Sequence, residues 1–202
     1  MTFTSHSQAS QDLLVKLLLI DTGIAPIGRF LDVGCSEPII RNNTYMLEQL
    51  GWTGFLFDND DTVERLCREQ RRSPFIRGDV TTLDFGKVLG GNRHFDYISL
   101  DVDENTPKAL ENLLKHGVTF KVATIEHDAY RFGDGPRREI RSMIGFYYPM
   151  ALNVHSEGCC FEDWFLTLSM CGKIPGLCGK LEKIGMSGLD HAEVIRRLEA
   201  AL

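Results

Sequence analysis

Short apolar runs alternate with helix-patterned segments along most of the chain, and nearly every run ends on an acidic or glycine-bearing turn. Residues 30–60 set the pattern. FLDV reads as a buried strand, a tight acidic loop and a helix follow, and GFLFD reads as a second strand closing on Asp58. Residues 74–80 form a third short strand ending in Gly-Asp, residues 95–102 a fourth, and residues 120–126 a fifth with His127 and Asp128 just beyond it. Between them, residues 61–71 are helix-compatible. Residues 106–115 place Ala109, Leu110, Leu113 and Leu114 on one helical face, with Gly117 as the stop.

The rhythm changes after the turn-rich stretch 131–136 and a helical segment at 137–146. Two β-prone runs, 149–155 and 160–168, are separated by Ser156, Glu157 and Gly158, a spacing suited to an antiparallel hairpin. The pattern predicts an α/β fold: a doubly wound, mostly parallel seven-stranded sheet with an antiparallel C-terminal hairpin and helices on both faces. A single domain accounts for the chain, with an N-terminal helical segment (1–28), a core (30–168), a loop or lid (169–189) and a C-terminal helix (190–202) capped by Asp190. Ligands in such sheets sit at the carboxyl ends of the strands, near the switch in strand order. Asp32, Asp58, Asp79, Asp101, Asp103, Glu126 and His127 are therefore expected around one crevice.

Charge narrows the partners. A formal net charge of -6 argues against a polyanion binder, so no nucleic-acid partner is expected. The run LLVKLLLI at 13–20 is too short for a membrane span and lacks a basic leader, so it reads as a packing helix with Leu13, Leu14, Leu17 and Leu18 on one side. Six cysteines without a CxxC pair are expected to be free thiols in a cytoplasmic protein, and their spacing matches no common zinc site. Asp101 and Asp103 would share a face of an extended segment and could hold a divalent cation with Glu126 or Asp128. The simpler expectation gives one acid to a cofactor and the other to solvent or a helix cap, so no metal is assigned. Trp52 and Trp164 lie in apolar patterns and are read as packing aromatics.

The order LDVGC, an acid closing the second strand and GDV closing the third resembles the class I methyltransferases that use S-adenosylmethionine. NNTYMLEQLGWTGFLFD, followed by DYISLDVD, TIEHD and FEDWF, is similar to the FkbM-like branch of that superfamily over residues 30–168. The resemblance implies a Rossmann-like methyltransferase fold and S-adenosylmethionine as cofactor. It implies that Asp32, Gly34 and Ser36 meet the methionine part, Asp58 the ribose, Asp79 and Val80 the adenine, and that Asp101 borders the sulfonium. Pro38 stands where the family's loop carries a further glycine, which removes one backbone donor and stiffens the loop.

The expected reaction moves a methyl group to an oxygen acceptor, a sugar hydroxyl or other small polar metabolite or glycan, with nitrogen as the alternative and a homodimer allowed. An inactive cofactor-binding or scaffolding protein on the same fold is the rival from outside the enzymes. A hydroxyl needs a base, for which His127 is the first candidate and Glu126 or Asp101 the alternatives. Asp103, Arg137 and Arg138 are the candidate acceptor contacts, the arginines as a clamp for a phosphate or carboxylate.

Overall fold

The computed structural model describes residues 4–184 and 186–202, with the backbone alone for residues 148, 171, 183 and 184. Seven strands form one mixed sheet: β1 (Arg29–Val33), β2 (Thr53–Asp58), β3 (Phe75–Arg77), β4 (His94–Leu100), β5 (Thr119–Glu126), β6 (Tyr147–Ser156) and β7 (Cys159–Thr167). Their order is β3-β2-β1-β4-β5-β7-β6. The first five in that order run parallel, and the β6–β7 hairpin lies antiparallel against β5. The expected architecture is thus the observed one. The chain winds outward from β1 to β3, then returns to place β4 on the other side of β1, which puts the switch in order between β1 and β4.

Side-chain alternation distributes the strands between two cores. Phe30 joins Leu14, Leu18, Leu56, Tyr97 and Trp164 on one face, whereas Leu31 and Val33 join Phe57, Phe85, Ile98, Leu110 and Ile125 on the other. The helices are α1 (Gln11–Val15), α2 (Tyr45–Gln49), α3 (Asp61–Gln70), α4 (Phe85–Val88), α5 (Thr106–Lys115), α6 (Ala129–Phe132), α7 (Asp134–Met143), α8 (Leu168–Lys173), α9 (Leu177–Ile184) and α10 (His191–Ala201). The N-terminal apolar run does pack on the sheet. After α1 it widens into a π-turn over Lys16–Asp21, which rotates Val15 and Leu19 inward beside Leu14 and Leu18 and leaves Leu13 and Leu17 at the margin.

Other boundaries moved for local reasons. β3 stops at Arg77, short of the expected 80, because Asp79 turns the chain by accepting the Thr81 amide. The helix expected from residue 137 begins at Asp134, with Pro136 in its first turn, where no amide is needed. Residues 169–189, expected as a loop or lid, instead carry α8 and α9, whose Met170, Leu177 and Leu181 are buried beneath α10 and the hairpin. Cys35, Cys67, Cys159 and Cys160 are free thiols as expected, but Cys178 is disulfide-bonded. Asp190 caps α10 through the Ala192 amide, while Glu193 turns away to pair with Arg196 and Arg197. Among the described residues no helix is long and apolar enough to cross a membrane.

Candidate cofactor and acceptor site

The loop after β1 is the narrowest point of the crevice. Gly34 adopts φ +81, and a β-carbon there would lie 1.6 Å from the carbonyl oxygen of Asp101 at the end of β4. Only glycine lets the two strand ends meet this closely. The Gly34 and Cys35 amides both donate to the Phe57 carbonyl, and the Ser36 amide donates to Asp58 Oδ2 at 3.0 Å. Asp58 Oδ1 accepts the Asn59 amide at 2.8 Å, so backbone donors from two loops fix this carboxylate at the rim.

A cavity of about 530 Å³ opens over these strand ends. Gly34, Ser36, Asp58, Asp79, Val80 and Asp101 all line it, together with Asp103. Thr81 holds the Asp79 carboxyl below its usual range through its hydroxyl at 2.7 Å and its amide at 2.9 Å. Val80 stands beside it, its carbonyl tied to the Asn112 side chain on α5. Six of the seven residues expected to contact cofactor thus line one cavity.

Asp32 is the seventh, and it is elsewhere. Its carboxylate is buried at 2% exposure and accepts from Thr44 Oγ1 at 2.6 Å and Asn42 Nδ2 at 3.2 Å. Burial pushes the Asp32 carboxyl up, opposed by the nearby Arg71 and by the Thr44 and Asn42 donors. Arg71 completes the network by donating to the Pro38 carbonyl, Asn42 Oδ1, Thr44 Oγ1 and Glu48. Asp32 therefore shapes the loop from beneath, and Asn42, Thr44 and Arg71 are the supporting residues that the sequence pattern did not single out.

On the far side, carboxylates crowd the cavity. Asp101, Glu126 and Asp128 face one another there, with Tyr130 and Arg131 at the edge. Burial, then the charge and hydrogen bonding of Asp101 and Asp128, pushes the Glu126 carboxyl up to about 12, so Glu126 carries a proton at neutral pH and donates it to Asp101. Asp101 opens onto the cavity, yet the walls keep enough bulk water away to raise its carboxyl, an effect that the Glu126 donor opposes. Arg131 is committed to Asp103 at 2.8 Å.

His127 does not reach this cavity. Its ring is buried, Nδ1 accepts the Ala129 amide at 3.0 Å, and Nε2 lies 3.4 Å from Asp163 Oδ1 on β7. Strand alternation explains the miss: Glu126 and Asp128 flank the cavity, and the residue between them points the other way. Arg137 is likewise drawn inward to Asp163, at 3.0 Å, and Arg138 sits exposed on α7 outside the cavity lining. The expected anion clamp is not assembled there. Among the described residues no cluster of ligand side chains has the geometry to hold a metal ion.

Solved structures share this architecture. A Klebsiella pneumoniae protein assigned as an O-methyltransferase superposes with a TM-score of 0.58, covering 79% of this chain and 80% of that one at 19% identity. The fold is that of a Rossmann-like methyltransferase. An O-methyltransferase from Bacillus cereus in complex with SAH matches at TM-score 0.53 and 18% identity, over 81% of this chain and 84% of that one. The Streptomyces achromogenes O-methyltransferase TomG, in complex with SAM, gives TM-score 0.54 at 12% identity, over 82% and 81%. No family model matches the chain, and no curated protein sequence matches it. At these identities the methyltransferase fold is what the neighbours share with this chain.

Proposed function

We propose that this chain is an S-adenosylmethionine-dependent methyltransferase acting on a hydroxyl of a small polar acceptor such as a sugar. One observation carries the reading: the Gly34 cradle against Asp101 opens into the same cavity as Asp58 and Asp79, in the strand order that a nucleoside with a methionine tail would follow. Solved neighbours of this fold that contain SAM or SAH support the cofactor. The motif resemblance supports an FkbM-like relationship, and the net charge of -6 supports a small acceptor over nucleic acid.

When bound, S-adenosylmethionine would supply a methyl group already activated by its sulfonium. Asp58 would take the ribose hydroxyls, Asp79 and the Val80 backbone the adenine edge, and the Gly34–Ser36 backbone the methionine end. Asp101 borders the reacting region and is the base of this reading. Its raised carboxyl favours taking the acceptor's proton as the new C–O bond forms. Glu126 holds its own proton and steadies Asp101, which moves it from base to donor. His127, directed at Asp163, positions the β5–β7 corner.

Calorimetry with S-adenosylhomocysteine tests the proposal. Wild type should bind, and Asp58→Ala should weaken binding by about tenfold or more, the worth of charge-assisted hydrogen bonds. Absence of binding by both SAM and SAH in the folded wild type overturns it.

A further inference from the structure

The acceptor side of the cavity has more negative charge than a cofactor and a base require. Among the described residues, seven carboxyl residues line the cavity (Asp58, Asp79, Asp101, Asp103, Glu104, Glu126 and Asp128) against a single basic one, Arg131, which is already paired with Asp103. In the proposed reading Asp58, Asp79 and Asp101 have roles and Glu126 keeps its proton, which leaves the Asp128 carboxylate without a counter-charge. Asp128 is 3% exposed, lines the cavity, and its Oδ1 has no hydrogen-bond partner. An unpartnered carboxylate oxygen in such a place costs free energy unless a ligand supplies the donor. Tyr130, 55% exposed on the first turn of α6, lines the same end of the cavity.

We propose that the acceptor is a cation, a small polar hydroxyl compound whose protonated amine is held by the Asp128 carboxylate beside the ring of Tyr130. This rests on the methyltransfer reading and names its substrate class. The ammonium donates to the orphan oxygen of Asp128, and the tyrosine adds a cation–π wall. The hydroxyl of the same molecule then faces Asp101. As its oxygen attacks the methyl carbon, the O–H proton passes to the Asp101 carboxylate, the C–O bond forms, and the C–S electron pair stays on sulfur as the neutral thioether. The ammonium remains bound throughout and takes no part in the bond changes.

Two matched sets of probes test the clasp with SAH present in excess: glucosamine, glucose and glucuronate, and, to remove the effect of size, 2-aminoethanol, ethylene glycol and glycolate. In each set the amine should bind about tenfold tighter than its neutral partner and the anion weakest, measured by NMR titration. Asp128→Asn should remove about tenfold of amine affinity while SAH affinity holds within about twofold. Should that variant fail to fold, Tyr130→Ala, a change at an exposed side chain, should still cost the amines about threefold. Amines that bind no tighter than neutral probes, or not at all, overturn the proposal, as does an amine preference untouched by either variant. SAH binding in the same samples separates the two readings, because an amine preference in protein that ignores SAH keeps the clasp and removes the methyltransferase.

Discussion

At the scale of single residues, the site depends on positions where one atom decides. Gly34→Ala places a methyl within 1.6 Å of the Asp101 carbonyl and asks alanine to adopt φ +81. The loop must move, so SAH affinity should fall by about tenfold or more even where the protein still folds, a loss read by calorimetry beside a circular dichroism spectrum. Away from the cavity, burial pushes the Glu162 carboxyl up to about 8, while Gln11 Nε2 at 2.9 Å and the Trp164 indole donate to it. Its folded pKa lies above the unfolded value near 4.5, so the native state binds the extra proton. Its contribution is therefore fully present below about pH 4.5 and is lost as pH rises through about 8. Glu162→Gln keeps an acceptor for both donors and abolishes the titration. The melting temperature of wild type should fall between pH 6 and pH 9 by more than that of the variant, on the order of a few kcal/mol in stability. Equal slopes would show that Glu162 ionises freely.

Elements explain why some of the site was legible and some was not. Asp58, Asp79 and Asp101 were readable because parallel strands deliver their carboxyl ends to one edge, and that edge follows from period and turn chemistry alone. His127 lies outside the cavity because periodicity fixes which neighbours share a side, and here Glu126 and Asp128 take the cavity. Asn42, Thr44 and Arg71 carry no local signature. The first two lie in the loop before α2 and the third at the end of α3, and only the packed fold brings them together under Asp32. The helices at 168–184 were missed because their glycines read as breakers, whereas tertiary burial of Met170, Leu177 and Leu181 outweighs a propensity penalty of about 1 kcal/mol per glycine. Arg71→Met tests the hub. It leaves Glu48 and Asp32 buried without their shared cation and should cost about 3–5 kcal/mol, seen as a lower denaturation midpoint. Arg68→Met, which removes the exposed pair with Glu64 one turn earlier on α3, should cost less than about 1 kcal/mol.

For the whole molecule, charge discriminates between ligands that the architecture alone would admit. Doubly wound sheets bind dinucleotides and S-adenosyl compounds at the same edge, and topology does not choose between them. Here the loop reads Gly34-Cys35-Ser36-Glu37-Pro38, without the glycine spacing that lets a helix N-terminus approach a pyrophosphate, and α2 starts only at Tyr45. The cavity beyond it is lined by carboxyl groups that repel a polyanion and attract a sulfonium with its ammonium. A ligand held only by the native state raises its stability by about 2.7 kcal/mol at a hundredfold excess over its dissociation constant. For a chain of 202 residues that corresponds to a rise of roughly 5–10 °C in melting temperature. SAM and SAH should produce such a shift and NAD should produce none, the difference narrowing as salt screens the outer carboxylates. A shift with NAD equal to that with SAM would mean that shape rather than charge selects the ligand. The carboxylates would then have to be counted as structural, and the acceptor clasp along with them.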